Sequence, residues 1–206
     1  MKPSKRLGLA LTVTAPSGAG KSTLIRRLLA EFPEAGYSVS CTTRKPRPGE
    51  RDGVDYVFLG AEEFRERIAL GHFAEWAEVH GNYYGTQKAM VTDMLQAGRD
   101  VIFDIDVQGA KALKSNLGFG RTLFILPPSR QVLEQRLKGR GSDAPEVVAK
   151  RIANAKQEIE QAGWFDHVLV NDDLEKAYDE LRCVYVAERA RPSLHPGLIE
   201  SILAGW

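Results

Sequence analysis

The run Ala15-Pro16-Ser17-Gly18-Ala19-Gly20-Lys21-Ser22-Thr23 sets two glycines, a primary amine and a cluster of hydroxyls side by side. Gly18 and Gly20 fall where backbone N–H groups must crowd onto phosphate oxygens, Lys21 can reach the β and γ phosphates, and Ser22 can ligate magnesium. This is a Walker A pattern with Ala15 in place of its first glycine, and the chemistry depends most on the other four positions. The flanking residues supply the context the motif requires. Leu7 to Thr14 is a short apolar run of strand type, and Ser22 to Glu31 carries Leu24, Ile25, Leu28 and Leu29 at helical spacing. Strand, glycine loop and helix in that order point to a nucleoside triphosphate site rather than a plain turn. The Asn-Lys-x-Asp guanine reader of a GTPase is not in the sequence.

A second concentration of chemistry lies between Thr42 and Phe58, where Arg44, Lys45, Arg47, Arg51 and Tyr56 share a short loop stiffened by Pro46 and Pro48. Like charges at this density repel one another unless an anion is expected. The whole chain is nearly neutral, with 28 Lys and Arg against 27 Asp and Glu and a formal net charge of +1. A polyanion site must therefore be a local concentration of charge, and general affinity for nucleic acid or acidic membranes is not implied.

In Thr42, Thr43, Arg44, Arg47, Glu50, Gly53, Tyr56 and Phe58 the loop resembles the signature of the guanylate kinase family: Thr, Ser or Thr, Arg, a second basic residue, an acid, Gly, then Tyr-x-aromatic. The resemblance continues through Phe73-Ala74-Glu75-Trp76-Ala77, Gly81-Asn82-Tyr83-Tyr84-Gly85-Thr86, Asp104-Ile105-Asp106-Val107-Gln108-Gly109, Gly139-Arg140-Gly141 and Val170-Asn171-Asp172-Asp173, and so covers about residues 7 to 190. It implies a nucleoside monophosphate kinase that moves the γ-phosphoryl group of ATP onto GMP, and onto dGMP, with magnesium arriving with ATP. ATP and GMP would be its small-molecule partners.

By the same resemblance, Arg44, Arg47, Tyr56 and Tyr84 would hold the GMP phosphate, two as charged forks and two as hydroxyl donors. Glu75 would accept N1–H and the N2 amino group of guanine, the Ser40 and Thr86 hydroxyls would donate to O6, and Asp106 would face the guanine amino group. Adenine presents a lone pair and an amino group in the wrong places, and sites of this kind discriminate by roughly 10⁴-fold or more. Pro16 to Thr23 would bind ATP together with Arg140 and, near the adenine, Asn171. Lys21, Arg44, Asp104, Arg136, Arg140 and Arg151 would carry the transfer, with Asp104 orienting an arginine or a magnesium-bound water. Without the resemblance, Glu75 reads as an exposed carboxylate in an alternating strand, the arginines as a solvated helix face, and Asp104 and Asp106 equally as helix caps. The attacking phosphate oxygen is already ionised at neutral pH, its second pKa being about 6, so no general base is required.

Apolar runs at Val101 to Ile105, Thr122 to Leu126 and His167 to Val170 alternate with helical patterns such as Val132 to Leu137 and Glu146 to Ile159. The expected fold is α/β: a P-loop three-layer core with a parallel sheet, an inserted β-rich GMP-binding lobe and a small lid. Within a single domain spanning 1–206, the core is expected over 7–36, 87–138 and 146–190, the lobe over 37–86 and the lid over 139–145. Residues 191–206 form a C-terminal extension whose Leu198, Ile199, Ile202 and Leu203 suggest an appended helix.

Hydrophobic residues are 43% and charged residues 27% of the 206, the composition of an ordinary globular protein. Cys41 and Cys183 are far apart and the histidines His72, His80, His167 and His195 show no paired spacing, so neither a disulfide framework nor a zinc site is expected. No signal peptide or membrane span is expected, and the chain reads as cytoplasmic, either a monomer or a small homo-oligomer. The competing function is a kinase-like module that has lost catalysis and docks peptides, which the intact Gly20-Lys21-Ser22 argues against. A kinase for another monophosphate would use the same donor loop.

Overall fold

The computed structural model describes residues 6–79, 81–118, 120–139 and 144–206. Its platform is a five-stranded parallel sheet in the order β2-β7-β1-β8-β9. β1 (Ala10–Thr14) is buried along its whole length and lies between β7 (Val101–Asp104) and β8 (Arg121–Leu126). β9 (His167–Val170) closes one edge, and β2 (Gly36–Tyr37) the other. Strands buried on both faces read as nearly continuous apolar runs, which is how these segments appear in the sequence.

One face of the sheet packs Leu11, Val13, Ile102, Leu123, Ile125 and Leu169 against α1 (Lys21–Glu31) and α7 (Leu174–Arg189). The other packs Ala10, Val101, Phe103 and Phe124 against α3 (Lys88–Gln96) and α4 (Val107–Leu117). Helix, sheet and helix make the three layers.

The insertion has its own small core. Its sheet, in the order β4-β3-β6-β5, joins β3 (Cys41–Thr42), β4 (Val57–Phe58), β5 (Phe73–Val79) and β6 (Asn82–Gln87). α2 (Ala61–Ala69) covers it, with Phe64 stacked on Phe73 at 4.4 Å and on Tyr83 at 5.4 Å between ring centroids. The lobe is thus less purely β than the sequence suggests. Tyr37 also belongs to the core sheet and not to the lobe. Tyr37 registers with Ile102, and the chain keeps its backbone on β7 as far as Ser38, whose N–H donates to the Ile102 carbonyl at 2.9 Å.

α5 (Arg130–Lys138) and α6 (Pro145–Ile159) pack on each other through Leu133, Leu137, Val148 and Ala155. Arg140 and most of the expected 139–145 lid lie outside the described residues, as does His80. The extension ends in α8 (Leu198–Leu203), as its apolar spacing suggests.

Far from the loops that carry chemistry, Asp100 anchors the N-terminal end of the sheet. Its fully buried carboxylate accepts from the Leu9 N–H and the Tyr185 hydroxyl, both at 2.7 Å, and pairs with Arg6 at 2.8 Å and Arg189 at 3.1 Å. Removing one partner of such a buried cluster strands the others. Asp100→Ala should therefore cost roughly 3–5 kcal/mol in denaturant unfolding while leaving affinity for nucleotides at the far end of the sheet unchanged.

Candidate active site

β1 runs directly into the phosphate loop, and the loop into α1. Gly18 and Gly20 hold φ values of 91° and 95°, in the left-handed region that side chains rarely adopt. Space forbids a side chain as well. A Cβ at Gly18 would press on Leu137 and Leu133 of α5 at 3.0 and 3.2 Å, and one at Gly20 would meet Asn171 Nδ2 at 2.2 Å. α1 has no side-chain N-cap, so its first N–H groups are left for an anion. Ala19 and Pro16 are buried, whereas Ser17, Ser22 and Thr23 are exposed.

Asn171 follows β9 and is 4% exposed. Its amide donates to the Ala19 carbonyl at 2.7 Å, bracing the loop from behind. Arg136 reaches the same place, donating from Nη2 to the Asn171 carbonyl at 3.0 Å, while its Nη1 is buried without a hydrogen-bond partner. Arg151 is half-buried on α6.

The Lys21 ammonium forms an ion pair with Asp104 at the end of β7. Two residues on, Asp106 caps α4 by accepting from the Gly109 N–H at 2.8 Å. The cap and the site are not alternatives, because Asp104 and Asp106 both line a cavity of about 180 Å³ between the core and the lobe. Its walls also include Ser40, Tyr56, Glu75, Ala77, Val79, Tyr84, Ile105 and Gly109. Ala77 and Val79 share the Glu75 face of β5 by strand alternation, a signal present in the sequence but not used there.

At one end of the cavity stands Arg44. Its Nη2 meets Glu50 Oε1 at 2.8 Å, its Nη1 donates to the Lys45 carbonyl at 2.7 Å, and its guanidinium lies 5.2 Å from the Tyr56 ring centroid. The Glu50 hydrogen bond, with Tyr84 assisting, raises the pKa of Arg44, and Arg44 in turn lowers that of Glu50. Glu50 Oε2 also accepts the Arg47 N–H at 2.7 Å, so one carboxylate shapes the whole basic turn. The Arg47 side chain is exposed. Glu50 sits in the recognised signature, but nothing in the sequence assigns it this double role.

Deeper in the cavity, Glu75 is 4% exposed, not the surface carboxylate its strand pattern suggests. Thr86 lies behind it, fully buried, and donates its hydroxyl to Glu75 Oε1 at 2.7 Å. Burial, and then the nearby Asp106 charge, push the Glu75 pKa up to about 7 despite hydrogen bonds from the Thr86 hydroxyl and backbone. Glu158 of α6 lies outside the cavity wall but close enough to feel Asp106 and Lys21. Burial raises its pKa to about 7, Asp106 adds to the rise, and Lys21 opposes it. In the sequence it is one charge among many on an amphipathic helix.

The guanylate kinase family model matches residues 9–188. The chain belongs to the guanylate kinase family. It is similar to the guanylate kinase of Nitratidesulfovibrio vulgaris, 54% identical with 98% of each chain covered, and to that of Lawsonia intracellularis, 51% identical over 98% of this chain and 95% of the relative. It also resembles the crystal structure of guanylate kinase from Anaplasma phagocytophilum, with a TM-score of 0.79 at 31% identity, covering 96% and 95% of the two chains. Guanylate kinase membership thus rests on sequence and fold together. No helix among the described residues is long and apolar enough to cross a membrane.

The raised Glu75 pKa links pH to stability. An ordinary Glu ionises near 4.5, and this one in the folded protein near 7, so between those values the folded state holds the extra proton. Stability is therefore lost as pH rises through that window. Glu75→Gln, which never ionises, should match the native protein in unfolding free energy near pH 4.5 and exceed it by on the order of 3 kcal/mol above pH 8. Chemical denaturation across that range measures the difference, and parallel curves would exclude the buried-acid account.

Proposed function

We propose that the chain transfers the γ-phosphoryl group of ATP to GMP, and to dGMP, giving ADP and the nucleoside diphosphate. One observation carries this reading. A buried acid, Glu75, sits in the same cavity as Tyr56 and Tyr84, beside the Arg44 guanidinium, and that cavity opens beside the Lys21–Asp104 pair.

In this reading Lys21 and the loop amides hold the donor phosphates, and Arg136 supplies its buried, unpartnered Nη1 to them. Arg44, Arg47, Tyr56 and Tyr84 hold the acceptor phosphate. Glu75 receives the N1–H and N2–H edge of guanine, Ser40 lies within reach of O6, and Asp106 adds a second acceptor. Asn171 braces the loop and Thr86 holds Glu75, while Arg140 of the 139–145 lid and Arg151 of α6 add positive charge at the phosphates. The acceptor oxygen attacks phosphorus in line as the bond to the ADP oxygen breaks. The protein's part is to neutralise and align two anions.

Magnesium suits the donor set, since the exposed Ser22 hydroxyl and the Asp104 carboxylate are hard oxygen ligands. They would hold it together with ATP oxygens, and it would supply charge neutralisation at the transferred group. Both cysteines are free thiols, buried Cys41 and exposed Cys183, and we place the enzyme in the reducing cytoplasm.

A coupled assay of ADP release tests the proposal. With magnesium and ATP, turnover should require GMP or dGMP, fall steeply with AMP, CMP or UMP, and be slight with water alone as acceptor. A docking module would show no turnover with any of them. Glu75→Gln places a donor against guanine N1–H, and its KM for GMP should rise roughly ten-fold or more with the KM for ATP unchanged. Unaltered GMP kinetics would remove Glu75 from the site.

A further inference from the structure

Glu75 lies on β5, Asp106 at the start of α4, and the first turn of α4 approaches the Glu75 carboxylate closely. Gly109 occupies that point of approach. It is buried, lines the cavity, and is the third residue of the helix. A Cβ placed on it would stand 3.1 Å from Glu75 Oε2 and 3.4 Å from both Asp106 Oδ1 and Ile105 Cβ. Glu75 has little room to retreat, because its Oε1 is held by Thr86 at 2.7 Å and its side chain is enclosed.

Backbone geometry does not explain the glycine. Gly109 is not among the residues with positive φ, and in a helix alanine is favoured over glycine. Its N–H, which Asp106 caps, would be present in any residue except proline. What glycine alone provides here is empty space beside Oε2.

We infer that Gly109 is a specificity-determining residue, whose missing side chain keeps Glu75 Oε2 open to a purine edge bearing two adjacent N–H donors. The inference rests on the reading of this cavity as the guanine site. Oε1 carries the Thr86 hydroxyl, and Oε2 is the oxygen that faces the space left by the glycine. A methyl group beside it would either bar the base or push the carboxylate off Thr86.

The test is Gly109→Ala, with calorimetric titration of GMP and, separately, of a non-hydrolysable ATP analogue, together with steady-state kinetics and thermal unfolding. GMP should bind roughly ten-fold or more weakly, its KM should rise by a similar factor, and kcat at saturating GMP should hold. Affinity for the ATP analogue should be unchanged and Tm equal or higher, because alanine is the better helix residue. In a Glu75→Ala background the same substitution should add no further loss. GMP affinity equal to that of the native protein would overturn the inference. So would an equal loss in the Glu75→Ala background, or a fall in Tm accompanied by loss of the ATP analogue. Native protein that binds no GMP would instead overturn the reading of the cavity itself.

Discussion

The arrangement depends on one electrostatic constraint: two of the cations in the cleft are already paired with acids of the chain. Lys21 is paired with Asp104 and Arg44 with Glu50. Positive charges gathered in a cleft repel one another when no anion is present, and at an effective dielectric of 20 a pair 4 Å apart interacts by about 4 kcal/mol. Internal carboxylates offset that repulsion and fix where each cation points. Glu50 does more, since its second oxygen on the Arg47 N–H holds the turn in which the arginines sit. Phosphate then meets donors that are already oriented, and less ordering entropy is lost on binding.

The opposite end of the cavity follows the reverse logic. Glu75 takes hydrogen bonds from Thr86 and faces no cation, and both burial and Asp106 disfavour its charge. An acid kept in that state costs the fold stability at neutral pH. It is suited to a ligand that brings two N–H donors, because those hydrogens restore what burial took from the carboxylate. The two ends of the cavity thus differ: cations are matched by carboxylates at one, and an acid is left without a cation at the other.

How much of this could be read in the sequence follows from how local each feature is. The phosphate loop was legible because strand, glycines, lysine and helix are contiguous, and the parallel core because its buried strands are apolar throughout. The acceptor loop was legible through its charge density and its signature. Less visible were features created by packing between distant segments. Thr86 lies behind Glu75 across a β5–β6 pairing, and Asn171 braces Ala19 from 152 residues away. Tyr37 is in the core sheet only because two residues of backbone pair with β7, too short a run to show periodicity. Glu158 and Gly109 look ordinary on their helices, and their importance comes only from what α6 and α4 bring them against.

The end of β7 explains why donor and acceptor can be aligned at all. The strand order reverses beside β1, with β7 on one side and β8 on the other, and open α/β sheets bind ligands in the crevice at such a point. Asp104, which pairs with Lys21, and Asp106, which lines the cavity, are two residues apart there, about 7 Å of extended chain. Their spacing is therefore set covalently on the core side. Arg44, Tyr56 and Tyr84 belong to the lobe, which has a separate core around Phe64. A small displacement of the lobe would shift Arg44, Tyr56 and Tyr84 relative to Lys21 while Asp104 and Asp106 kept their spacing. On the proposed function, the lobe is then the principal body whose position sets in-line alignment.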